Sequence, residues 1–240
     1  MKASTRKVIQ VFLLLALVLA TARVYFTFRS RQATDWNQKQ EEAKNAPLNA
    51  DYYVNPKKLH AQNLKQARDL TKQPAWVREG FKYAYYAHTR GKTDFNKQAG
   101  LLGPIEKLNI TDVVEEKAPG ERGKQVMAVF EKEGKSFSVP IGVVEGDSYQ
   151  IFADEMLFIE DPRELYKHWP SEVWQAIDAH QVKPGMNELQ ASFAVGAGAL
   201  DSGSRTDQRV VKYPNGGNPL IVTYQDGKAT EVKQGTPEAG

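Results

Sequence analysis

Few side chains in this chain are placed to do chemistry. The densest group is Asp154-Glu155, Glu160-Asp161 and His168, gathered around the apolar run Met156 to Ile159. Carboxyls beside an imidazole make an acid–base set when burial pushes their pKa values apart, and a hydrolase would use them that way. The same residues also have plainer tasks. Asp161 stands where a helix N-cap belongs, with Pro162 in the first helical position and Glu164 where a capping box wants a carboxylate. Asp154 and Glu160 fall at strand ends, where acids meet solvent, and His168 follows a lysine on a short helix. The structural tasks are the stronger reading, so no catalytic residue is assigned.

Other signatures point the same way. The four histidines, His60, His88, His168 and His180, show no paired spacing of the metalloprotease kind, and without cysteine there is no thiolate for zinc, no disulfide and no lipobox. No metal or cofactor is expected. Gly196-Ala-Gly198 lacks the third glycine of a dinucleotide fingerprint and follows a helix rather than a strand, while phosphate-loop and nucleophile-elbow motifs do not occur. Tyr83, Tyr86 and Tyr149 offer an alternative, an aromatic platform for cell-wall polysaccharide. Asn109-Ile110-Thr111 is a glycosylation sequon that matters only in a eukaryotic secretory route.

The elements that would carry these residues change character along the chain. Leu64 to His88 has Val77, Phe81, Ala84, Tyr85 and His88 at three- and four-residue steps, which predicts a helix with a core-facing stripe. From Leu108 to Ile159 the period becomes two. Val126, Ala128 and Phe130 alternate, Glu133-Gly134 turns, and Phe137, Val139 and Ile141 return. With flanking runs at Asn109 to Val114, Tyr149 to Phe152 and Met156 to Ile159, five short strands are expected, Pro140 lying at an edge or bend because it cannot donate to a ladder. Two short helices follow over Pro162 to His180, and a third is capped at Asn187 with Gln190 in the box position. Ala197 to Asp207 reads as a loop. Strands Arg209 to Tyr213, Leu220 to Tyr224 and Ala229 to Val232 close the chain, the last two joined by Asp226-Gly227.

The N-terminus sets location. Lys2, Arg6 and Lys7 precede the apolar run Val8 to Leu19, and Ala20-Thr21-Ala22 ends it, which is the pattern of an export signal. Cleavage before Arg23 gives a soluble exported protein; retention of Val8 to Phe28 gives a single-pass anchor. Those first 22 residues hold three of the 32 basic side chains and no acid, leaving 29 basic against 29 acidic in the remainder. The apparent basicity belongs to the leader, and a nucleic-acid surface is not indicated.

The resulting expectation is an α+β chain: a small antiparallel β-barrel or curled sheet followed by an ααβββ module, preceded by an N-terminal membrane helix or signal peptide. Its segments are a signal peptide or anchor over 1–28, a polar linker over 29–63, a helix plus small β-rich domain over 64–160, the ααβββ module over 161–234 and a flexible tail over 235–240. Within the last module, Val182-Lys-Pro-Gly185-Met186-Asn187, a helix ending near Gly196, Val210 to Tyr213 and Leu220 to Lys228 resemble the SmpA/OmlA (BamE-like) envelope lipoprotein family over about residues 171–233. The resemblance implies a non-catalytic packing or scaffolding module in a bacterial envelope. The missing lipobox cysteine departs from those lipoproteins. Partners would be unidentified envelope proteins, with the membrane itself contacted through residues 8–28 if the leader stays. The location would be the periplasmic side of the inner membrane, or the periplasm if the leader is cleaved.

Overall fold

The computed structural model describes residues 49–236 apart from 121–122 and 206–207, together with Arg23, Tyr25, Thr27 and Arg29. The export leader expected over residues 1–22 lies outside the described residues, as does most of the anchor expected over 8–28. No helix among the described residues is long and apolar enough to cross a membrane. The chain divides into two units, 1–52 and 53–240, and every sheet among the described residues belongs to the second.

That unit begins with a strap, residues 54–63, which composition assigns to the polar linker. Its Val54 packs on one core and its Leu59 and Ala61 on the other. Helix α1 (Leu64–Ala67), capped by Asn63, runs into a 3-10 turn at Arg68–Lys72. Then come β1 (Ala75–Val77), β2 (Ala84–Thr89), β3 (Lys92–Leu101), β4 (Lys107–Leu108), β5 (Ile110–Glu116), β6 (Lys124–Lys132), β7 (Lys135–Glu145) and β8 (Ser148–Ile151). The short helix α2 (Ala153–Met156) leads to β9 (Leu157–Phe158), and α3 (Pro162–Leu165), α4 (Ser171–Asp178) and α5 (Glu188–Val195) follow. Four strands finish the fold: β10 (Ala199–Leu200), β11 (Gln208–Tyr213), β12 (Leu220–Gln225) and β13 (Lys228–Gln234).

These strands make three antiparallel sheets. A six-stranded sheet runs β3-β2-β7-β6-β5, with β8 added to the far part of β7; a three-stranded sheet runs β4-β1-β9; a four-stranded sheet runs β10-β11-β12-β13. Three hairpins turn on two residues that are both left-handed, Arg90-Gly91, Glu133-Gly134 and Asp226-Gly227. Such turns match the right-handed twist of the strands they join. Pro140 falls between the part of β7 that pairs β2 and the part that pairs β8, beside a register shift opposite Val126 and Met127, the irregular kind of position where a strand proline belongs.

The α+β expectation is overturned, because the fold is mostly β. Residues 64–88 are the first reason: helix persists only to Lys72, and Ala75 to Thr89 supplies two strands. The aromatic run satisfies a helical stripe and a strand alternation at once, and the alternation prevails, Tyr83 and Tyr85 turning toward the core. Phe81 at φ 60° interrupts any helix there. The barrel is overturned too, since every sheet is open. The apolar run Met156 to Ile159 does not add a fifth strand; α2 breaks the path and β9 leaves to pair β1. Finally, the loop expected at Ala197 to Asp207 contributes β10 as a fourth strand beside β11. Gly198 permits this, for a Cβ there would meet Val211 at 2.5 Å and Tyr213 at 2.6 Å.

Two hydrophobic cores result. The first lies between the six-stranded sheet, the strap and α1, around Val113, Ala128, Phe130, Val139 and Ile141, all at or near zero exposure. The second packs α3, α4 and α5 against the four-stranded sheet. Trp169 is its hub, with ring centroids 4.5 Å from Tyr166, 5.3 Å from Trp174 and 5.2 Å from Phe193. Aromatic pairs at such spacing add to area burial by about 0.5–1.5 kcal/mol each.

Candidate functional site

Of the carboxylates and imidazole singled out by sequence, Asp154, Glu160 and Asp161 are held in structural bonds, and Glu155 and His168 lie at the surface. Asp154 accepts from the backbone N–H groups of Leu59 at 2.6 Å and His60 at 2.8 Å, fastening the strap to α2. Glu160 accepts from the backbone of Lys57 at 2.8 Å and pairs with its ammonium at 3.1 Å. The Lys57 backbone N–H, with its ammonium behind, holds the Glu160 carboxyl below the usual range. Asp161 caps α3 by accepting from Arg163 N–H at 2.8 Å. His168 is exposed, its ring 6.1 Å from Tyr166 and 6.2 Å from Trp169. Glu155 points to solvent from α2. The tyrosines form no shared platform: Tyr83 and Tyr149 pack against the first core, Tyr149 also donating to Glu115, whereas Tyr86 pairs with Phe95 at 5.8 Å.

Sequence reasoning missed a polar cluster on β2, β3, β5 and β7. Glu116 accepts from the backbone N–H and the hydroxyl of Thr93, each at 2.7 Å. Thr93 has one hydroxyl proton and gives it to Glu116, so the Ser138 hydroxyl 2.7 Å away donates to Thr93. His88 Nδ1 lies 3.4 Å from both Thr93 Oγ1 and Glu116 Oε1. The residue types are those of nucleophilic catalysis, but Ser138 has 0% exposure and its proton is committed to Thr93. What the cluster does in this geometry is join the two edges of the six-stranded sheet, β3 and β5, through side chains where no ladder bond does. The four residues are separated by 5 to 50 positions in sequence with no local pattern, so nothing short-range announces them.

A concavity lies where residues of the two cores meet. The β1–β2 connection places Gly80 and Phe81 against the end of α5. A Cβ on Gly80 would fall 2.2 Å from Pro104 N, and a Cβ on Gly196 would fall 2.4 Å from Gly80 O, so both positions need glycine for backbones to touch. Ala197 N–H donates to Gly80 O at 3.4 Å across this seam. Beside it opens a cavity of about 710 Å³ whose apolar lining includes Trp76, Phe81, Leu101, Ile105 and Ile177. Its rim charges are mostly spoken for: Glu106 holds Lys132 and the N–H of Gly103, both at 2.7 Å, and Asp178 holds Arg163. Lys107 differs, for its ammonium sits 5.4 Å from the Trp76 ring centroid, a cation–π contact, and no carboxylate among the described residues pairs with it. Leu101 stands on the rim at 38% exposure.

No group of three or more metal-ligating side chains occurs among the described residues. No family model, curated protein or solved structure matches this chain.

Proposed function

We infer that this chain is an exported or membrane-anchored protein of a bacterial envelope whose folded body binds partner proteins and is not a catalyst. The observation that carries the reading is the seam cavity. Its lining mixes apolar side chains with charged ones, Glu106 and Asp178 are paired with Lys132 and Arg163, Asp161 caps α3, and one cation, Lys107, rests on an aromatic ring at its edge. Such a surface suits an extended segment of another protein that brings apolar side chains and an acid. The export leader and the resemblance of residues 171–233 to the SmpA/OmlA family add support.

Mild cross-linking in envelopes followed by purification tests this. A specific envelope protein should co-purify, and Lys107→Glu or Leu101→Glu, both on exposed positions, should lower its recovery at least tenfold with the melting temperature unchanged. Recovery that ignores both substitutions would remove the cavity from consideration, and failure to recover any specific partner would remove the binding function.

A further inference from the structure

β13 ends the four-stranded sheet, and beyond it the described residues supply no further strand. Among the described residues its outer edge is covered at the start, where Ala229 N–H donates to Met186 O at 2.7 Å and Gly185 N–H to Ala229 O at 2.8 Å, and not further along. The register shift opposite Thr223 and Tyr224 then reverses which residues face outward. Gly235 N–H donates inward to Pro219 O, so in alternation Lys233 and Glu231 also bond inward, and Val232 and Gln234 present their N–H and C=O groups to the open side. Glu231 and Lys233 have exposed side chains on the sheet's outer face, paired with each other at 2.9 Å, while Val232 leans on the core side.

We propose that this edge pairs with the same edge of a second copy, antiparallel, about a two-fold axis through Val232. Pairing outward groups with outward groups leaves three central registers, Val232 on Val232, Val232 on Gln234, and Gln234 on Gln234. The second sets Lys233 directly against Lys233, and the third sets it against Gly235. The first sets Glu231 against Lys233 of the other copy on both sides of the axis, which is the charge-complementary solution for opposite-charge pairs directly across a ladder. The Gly185-Met186 turn stops the added ladder at Thr230, limiting it to five residues per copy. The surface is separate from the seam cavity and its test is independent of that reading.

The absence of cysteine makes a clean trap. In the full chain in cells, Val232→Cys should give a disulfide dimer under mild oxidation, because residues bonded across such a ladder lie about 5.5 Å apart at Cα. Leu200→Cys, exposed on the opposite edge strand β10, should not. Adding Glu231→Lys to Val232→Cys should cut the dimer at least fivefold, and adding Lys233→Glu as well should restore it, with circular dichroism confirming the fold throughout. Equal trapping at 200 and 232, no recovery on charge exchange, or adducts of Val232→Cys with a different protein would each overturn the proposal.

Discussion

Asp154 and His168 have the types of an acid–base pair, yet Asp154 is bound to the strap backbone and His168 lies at the surface. The Asp154 carboxylate serves two backbone N–H groups of the strap, one half-buried and one exposed, so Asp154→Ala removes two hydrogen bonds at about 0.5–1.5 kcal/mol each. It should shift the urea midpoint clearly downward, while exposed His168→Ala should leave it within about 0.5 kcal/mol. The buried phenols make a second prediction. Tyr213 and Tyr224 share a 2.7 Å hydrogen bond, and burial pushes the Tyr213 hydroxyl from the usual 10.0 to about 12 and Tyr224 higher still. Both hold their protons more tightly folded than unfolded, so their contribution is intact below pH about 10 and is lost as pH rises through about 12. Alkaline melts should show stability falling across that window, coincident with tyrosinate absorbance, and the Tyr213→Phe/Tyr224→Phe double variant should flatten the slope. Capping residues were legible because their chemistry is local: Asp161 and Asn187 act on residues two or three positions away, and both caps form, the latter with Gln190 completing the box. The Thr93, Glu116 and Ser138 cluster was not, because only a folded sheet brings them together.

At the scale of elements, the hairpins at Glu133-Gly134 and Asp226-Gly227 were readable from turn chemistry and alternation. The β2–β3 hairpin was hidden. Its first strand is so aromatic that three-, four- and two-residue periods coexist in it, and its second, Lys92–Leu101, is too polar to show any alternation. Tertiary packing of Tyr85 against Phe130 and Phe137, at 5.7 and 5.1 Å, settles the choice that local pattern left balanced. Element contact at the seam depends on Gly196, which has φ 84° and no room for a Cβ. Gly196→Ala combines the strain of a positive-φ, extended-ψ conformation that only glycine adopts readily, about 1–3 kcal/mol, with an overlap on Gly80 O, and should destabilise the fold by more than about 2 kcal/mol in equilibrium unfolding. Gly91→Ala, with open space around its Cβ position, carries only the conformational cost and should lose less.

For the whole molecule, two cores meeting at a glycine seam leave a recess, part apolar and part charged, that neither core fills, and that recess is the surface on which the proposed function rests. Sequence pattern could anticipate strands and caps but not this recess, which arises from how β1, β4 and α4 come together. On the proposed export, protease added outside spheroplasts should digest the body, and a protected full-length chain would count against an envelope location. The most direct measurement of the central claim is in-cell photo-cross-linking from a photoreactive residue placed at Leu101, on the cavity rim, compared with one at Arg90, on the tip of the β2–β3 hairpin. Partner binding at the seam predicts discrete adducts with one or a few envelope proteins from position 101 and none from position 90; a bare chain at 101, or the same adducts from both positions, would contradict it.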